Sequence, residues 1–222
     1  MKTSIFLRNL TVMVAMLLST IGARADVVID ETTFPDPAFR AYILTLNGGN
    51  NIITDNDMYK FTKIELSDAN IKSLQGIELL SNLQSLGLSL VDVRELNLSG
   101  FSVLSSVSCS RTKLESIRVS NCDRLGMLVC QENQQLISFS VSECKNLNHL
   151  ECNINHQLAS LNVSDCKGLK ELMCNSNQLE SMAISDCSSL ITIHLQNNRL
   201  SAEVISEIVN SIPLIEKGVT AS

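Results

Sequence analysis

Apolar positions recur along this chain at a fixed spacing. Phe61, Leu83, Leu104, Leu125, Leu147, Leu169 and Leu190 stand 21 or 22 residues apart, and each opens a segment of alternating apolar and polar side chains. The segments read FTKIELSDANI, LQSLGLSLVDV, LSSVSCSRTKL, LGMLVCQENQQL, LNHLECNINHQL, LKELMCNSNQL and LITIHLQNNRL. Alternation with period 2 predicts a short strand that buries one side. A unit this short cannot enclose a core alone, so the repetition predicts coils stacked into a solenoid, each contributing one parallel strand. At about 4.8 Å per coil, seven units make a rod roughly 30 Å long.

The second halves of the units repeat as well. LESIRVSNC, LISFSVSEC, LASLNVSDC and LESMAISDC begin at Leu114, Leu136, Leu158 and Leu179. They too alternate with period 2, which predicts a second sheet where a helix would show period 3.6. The first-half pattern, L-x-x-L-x-L/C-x-x-N-x-L, together with the nested second half, resembles the leucine-rich-repeat family. Within it the closest pattern is the bacterial short-repeat subclass called IRREKO, whose variants carry Cys at the sixth position. The resemblance covers about residues 61–200. It implies a narrow right-handed leucine-rich-repeat solenoid with parallel strands on both long sides. The chain departs from the subclass at Ala69, Val91 and Thr112, where Asn is expected, which predicts looser early coils.

A solenoid's ends need covers. Residues 26–60 are read as an amino-terminal helical cap, with Asp36 as N-cap, Pro37 at the first helical position and Phe39, Tyr42 and Ile43 on one face. FPDPAFRAYI resembles the cap of exported bacterial leucine-rich-repeat proteins, and Ser73–Leu86 resembles their first repeat. Asn47–Asp57 lacks the spaced acidic ligands of a calcium loop and is read as a plain loop. Residues 201–222 are read as a carboxyl-terminal cap helix and tail. Ser201 caps that helix, Val204, Ile205, Ile208, Val209 and Ile212 form its stripe, and Pro213 stops it.

The first 25 residues add an export signal: Lys2 and Arg8, an apolar run from Leu10 to Ile21, and Ala23-Arg24-Ala25 as a cleavage pattern. The expected product starts at Asp26 and is secreted, periplasmic or on the cell surface. A retained anchor is the other reading, and the run is short for a span. Loss of Lys2, Arg8 and Arg24, with no acid, moves the formal charge from −6 to −9. An acidic exported chain argues against a nucleic-acid partner, and no membrane insertion is expected after cleavage.

Cysteine is the residue most open to a chemical reading. Cys109, Cys130, Cys152 and Cys174 repeat at the sixth position, and Cys122, Cys144, Cys166 and Cys187 repeat near the unit's end. Eight cysteines in an exported chain suggest disulfides. In-register stacking, however, holds neighbouring Cβ atoms further apart than the roughly 3.8 Å a relaxed bridge prefers, so buried free thiols are expected. A thiol redox or metal function is the alternative, although no C-x-x-C occurs. Asn133, Asn155, Asn177 and Asn198 form a third ladder, placed to satisfy main-chain groups at a turn. Ser116, Ser138, Ser160 and Ser181, with Ser120, Ser142, Ser164 and Ser185, form two more, expected to bond across coils or to a local turn. No G-x-S-x-G or paired base marks a nucleophile, so neither catalysis nor a cofactor is expected.

Ligand binding is expected instead on the outward side of the first-half strands. The candidates are Met127, Val129, His149, Glu151, Glu171, Met173 and His194, which mix apolar and charged groups over consecutive coils. The expected partner is a protein or a glycan. A structural or oligomerising element of a cell-surface assembly is the competing function.

Overall fold

The computed structural model describes residues 25–212, so the export signal and the tail beyond Ile212, with its helix stop at Pro213, lie outside the described residues. An antiparallel pair, β1 (Val27–Val28) and β2 (Ile52–Ile53), flanks helix α1 (Pro37–Leu46). Seven parallel strands then line one long side: β3 (Lys63–Leu66), β4 (Ser85–Ser89), β6 (Ser106–Ser110), β8 (Met127–Gln131), β10 (His149–Glu151), β12 (Glu171–Met173) and β14 (Thr192–His194). Five line the other: β5 (Glu95–Asn97), β7 (Ser116–Ser120), β9 (Ser138–Ser142), β11 (Ser160–Ser164) and β13 (Ser181–Ser185). The chain crosses from one sheet to the other twice per coil. Helix α2 (Ala202–Ser211) follows β14 and packs beside β13.

Each coil is fixed from inside and at its corners. Inward Leu, Ile, Val, Phe, Met and Cys of both sheets meet in one core, where Leu104, Leu125, Leu147 and Leu169 are fully buried. At one set of corners the Cys carbonyl closes a turn on the Leu three residues on, as in Leu147 N–H to Cys144 O at 3.1 Å and Leu169 N–H to Cys166 O at 3.0 Å. At the other set the Asn carbonyl does the same, as in Leu158 N–H to Asn155 O at 3.0 Å. Two columns of residues enter these corners with positive φ. One is Leu90, Arg111, Glu132, Ile154, Ser176 and Asn197; the other is Gly100, Asn121, Glu143, Asp165 and Asp186.

At the amino end, Asp36 does more than cap α1. Its Oδ1 accepts from the N–H groups of Ala38 (3.0 Å) and Phe39 (2.9 Å), while its Oδ2 accepts from those of Lys72 (2.8 Å) and Ser73 (3.1 Å) in the first coil. Phe34 and Phe39 meet edge to face at 5.9 Å and, with Ile43, are fully buried; Tyr42 stays half-exposed. Gly76, at φ +99°, lets the coil approach: a Cβ there would collide with the Thr33 carbonyl and the Phe34 ring.

Three expectations need correction. Asn47–Asp57 is not a plain loop. It contains β2, and a 3₁₀ helix over Asp55–Phe61 begins within it, where the Asp57 carboxylate accepts from Thr54 N–H (2.9 Å), Thr54 Oγ1 (2.6 Å) and Lys60 Nζ (2.6 Å). Looser packing does not appear at two of the three positions lacking Asn, since Val91 and Thr112 are buried and the Thr112 N–H and Oγ1 donate to Asn133 Oδ1, whereas Ala69 in the first coil is exposed. On the second side, however, the first coil has no strand, and a 3₁₀ turn, Ile77–Leu79, follows the segment that stands in its place. Finally, Ser201 caps α2, with its Oγ accepting from Val204 N–H, but only part of the expected stripe is covered. Ile208 is buried, Val204, Ile205 and Ile212 are half-buried, and Val209 is 47 % exposed.

Candidate ligand-binding face

Parallel pairing in register sorts the outward side chains of the seven-stranded sheet into columns. The first runs Lys63, Ser85, Ser106, Met127, His149, Glu171, Thr192; the second runs Glu65, Gly87, Ser108, Val129, Glu151, Met173, His194. All seven candidate residues fall in these columns, on four consecutive strands. The early coils present small or self-paired groups: Lys63 Nζ lies 3.3 Å from Glu65 Oε1, and Ser106 Oγ donates to Ser85 Oγ at 3.1 Å. The larger groups begin at β8.

His149 is the centre of this region. Its Nδ1 lies 2.8 Å from Glu171 Oε2 in the next coil, and its Nε2 lies 3.6 Å from Glu151 Oε2 on the same strand. Asn153 Nδ2 donates to Glu151 Oε1 at 2.8 Å, which bonds one oxygen of that carboxylate and leaves the other beside His149. Met127, 45 % exposed, and Val129 border the centre on one side, and Met173 borders it on the other. The arrangement offers carboxylate acceptors beside apolar contact area. His194 does not join His149: it stands in the other column, two coils on. Among the described residues, no group of three or more His, Cys, Asp or Glu is arranged to hold a metal ion.

The Asn ladder holds the corner that follows these strands. Asn155 Nδ2 donates to Cys130 O (3.0 Å) and Cys152 O (2.7 Å), and its Oδ1 accepts from Asn133 N–H (2.9 Å). Asn177 repeats the scheme with Cys152 O, Cys174 O and Asn155 N–H. A second polar ladder escaped the sequence reading. Asn153 Oδ1 accepts from Asn175 N–H at 2.7 Å, and Asn175 Oδ1 accepts from Gln196 N–H at 3.1 Å. Its signal was the repeated Asn that follows Cys152 and Cys174 directly.

All eight cysteines are free and buried. Burial pushes the Cys130 and Cys174 thiols well up, which disfavours the nucleophilic thiolate at those two positions. In the second ladder the thiols donate to main-chain carbonyls two residues back, Cys144 to Ser142 O and Cys166 to Ser164 O, both at 3.3 Å. The bond with the Cys144 thiol, followed by burial, raises Cys122. For Cys144 the bond from Cys122 lowers the value, while the bond to Cys166 and burial outweigh it and raise the thiol to about 11. The bond from Cys144 lowers Cys166. The second serine ladder meets the expectation only at Ser120. Ser120 Oγ donates across coils to Ser99 Oγ at 2.8 Å, whereas Ser142, Ser164 and Ser185 contribute their carbonyls to the thiols and to turn N–H groups of the neighbouring coil.

No family model and no curated protein matches the chain. Among solved structures it is similar to an internalin C2 from Listeria monocytogenes, with 17 % identity and a TM-score of 0.42, over 89 % of this chain and 98 % of that one. It is also similar to the functional domain of InlJ from Listeria monocytogenes, which includes a cysteine ladder, with 15 % identity and a TM-score of 0.34, over 80 % of this chain and 63 % of that one. An internalin InlF from the same organism matches with 14 % identity and a TM-score of 0.29, over 90 % and 99 %. No helix among the described residues is long and apolar enough to cross a membrane. The fold stands on the strand register itself: a leucine-rich-repeat type solenoid of stacked coils with parallel strands on both long sides.

Proposed function

We propose that the chain is an exported, non-catalytic binding module, released by cleavage after Ala25, that recognises a protein ligand through the outward face of β8, β10, β12 and β14. Residues 26–60 and the helix that opens 201–222 close the ends of the repeats at 61–200. Met127, Val129 and Met173 supply desolvated contact area, Glu151 and Glu171 accept from a basic group of the partner, and His149 and His194 complete the rim. A glycan is the alternative ligand for the same face.

The observation that carries this reading is the register. Seven side chains of mixed character are held in two columns on consecutive strands, while the inward Cys and Asn positions are spent on the core. The test is a binding screen of residues 26–222 against surface proteins and glycans. It is run in parallel with a variant carrying Met127→Glu, Val129→Lys and Met173→Lys, which leaves the inward ladders untouched. A ligand that binds the parent and not the folded variant supports the face. No ligand, together with a mass that rises with concentration, would replace it with the oligomerising scaffold.

A further inference from the structure

At the amino end the second sheet begins one coil later than the first, and the reason lies in Asp36. In the coil before β5, the segment 72–75 occupies the place where a strand would pair with β5. The N–H groups of Lys72 and Ser73 are committed instead to Asp36 Oδ2, and Gln75 N–H is committed to Ser73 Oγ at 3.2 Å. The segment therefore forms no strand, and β5 is left as the edge of its sheet. Between the two lies an open groove of about 590 Å³, lined on one wall by Lys72–Gln75, Ile77 and Glu78 and on the other by Arg94–Asn97, Ser99 and Phe101. This volume is within the roughly 300–1,000 Å³ typical of ligand clefts.

The edge is chemically defined. In a parallel ladder, alternate residues of a strand direct both main-chain groups to the same neighbour. Ser116 N–H donates to Arg94 O at 3.1 Å and Leu98 N–H donates to Arg118 O at 2.9 Å, so Arg94, Leu96 and Leu98 serve β7. The N–H and C=O groups of Glu95 and Asn97 then face the groove. Below them the floor is apolar, lined by Leu74, Ile77, Leu96 and Phe101, which keep between 3 and 8 % of their surface. Polar main-chain groups over an apolar floor are what an added strand satisfies, its amides bonding the edge and its alternate side chains entering the floor.

We propose that this groove binds an extended peptide segment of a partner protein, with apolar side chains at alternate positions, which continues the second sheet beyond β5. The site is separate from the face proposed above and does not depend on it. Lys72 on one wall and Glu95 on the other form no ion pair among the described residues and flank the bound segment.

The probe is an acetylated, amidated peptide LASLNVSDS, the Leu158–Cys166 half-repeat with its cysteine replaced by serine, because this is the type of strand the sheet already stacks. A second peptide carries N-methyl groups at alternate amides and cannot complete the ladder. Binding to residues 26–222 is followed by anisotropy and by amide exchange. The expected result is saturable binding of the first peptide, slower exchange at Glu95 and Asn97 by about tenfold, and loss of binding on N-methylation. Asn97→Pro removes one groove-facing donor and leaves the bonds to β7, so it should weaken binding by about tenfold with β7 amides still protected. No saturable binding, equal binding of the N-methylated peptide, or unchanged exchange at Glu95 and Asn97 would overturn the proposal. The peptide arm decides the matter even if the proline variant does not fold.

Discussion

The two long sides of the solenoid share a backbone and a register, yet they use that register differently. On the first side the inward ladder is Cys109, Cys130, Cys152 and Cys174, closed by Asn amides that bond two coils at once. From β8 onward its outward columns change at every coil, from Met127 to His149 to Glu171. On the second side the Cys144 and Cys166 thiols bond carbonyls of their own strand while Cys122 bonds Leu98 O of the preceding coil at 2.9 Å, and the outward ends of the strands are serine in coil after coil. The first side is thus held by bonds that span coils and is free to vary outside. The second has fewer side-chain bonds between coils, among them Cys122 Sγ to Leu98 O and Ser120 Oγ to Ser99 Oγ, and it presents serine at its strand ends. Recognition needs distinct groups at fixed positions, and the first side provides them.

The largest expected effect comes from the inter-coil amides. Asn155→Ala removes the partner of Cys130 O, Cys152 O and Asn133 N–H in the core, and chemical denaturation should show a loss on the order of 3–5 kcal/mol. Ser164→Ala, on the second side, should stay within about 0.5 kcal/mol, because its carbonyl and not its hydroxyl makes the bonds. Equal losses would erase the distinction between the sides.

The two cysteine ladders sharpen it. Cys152→Ser buries a hydroxyl at a site with no exposed surface, and the expected cost is roughly 1–3 kcal/mol. Cys144→Ser places a donor where the thiol already bonds Ser142 O, and the expected cost is under about 1 kcal/mol in the same denaturation series.

The corners differ in a smaller way. Ile154, β-branched and 38 % exposed, has φ +60° on the first side, where Asn would fit at lower cost. Ile154→Asn should stabilise by roughly 1 kcal/mol, read as a raised Tm, whereas Asp165→Asn on the second side should change little.

The coil, both sheets, both helices and the inward ladders were legible in the sequence because each is a repeated position, and repetition at a fixed period translates directly into stacking. The corner conformations were only half legible. Asn121, Asp165 and Asp186 are residue types that tolerate a left-handed backbone, but Leu90 and Ile154 carry no such signal. The second role of Asp36 was hidden because its partners, Lys72 and Ser73, lie in another coil. The acidic residues of Asn47–Asp57 were weighed as calcium ligands, and the bonds Asp57 makes to Thr54 and Lys60 therefore went unread. On the candidate face, the columns followed from the period, but the approach of His149 to Glu171 across coils depends on side-chain conformation.

The smallest expected effect is on pH dependence. The Cys144 thiol has a usual value of 9.0 and is raised to about 11 in the fold, so the unfolded chain ionises first. The stability it contributes is complete below pH 9 and is lost as pH rises through 11. Cys144→Ala should flatten the alkaline limb of stability against pH, measured by denaturation at several pH values. An unchanged limb would assign it to other groups.

The most direct test compares the two faces against one ligand. The partner recovered by the parent protein is titrated against the first-face variant Met127→Glu/Val129→Lys/Met173→Lys. It is also titrated against a second-face variant, Ser140→Arg/Asn162→Arg/Ala183→Arg, whose positions are aligned in register on β9, β11 and β13. The account predicts a loss of affinity on the order of thirtyfold or more for the first variant and none for the second. A ligand that leaves the second variant and stays on the first would contradict it.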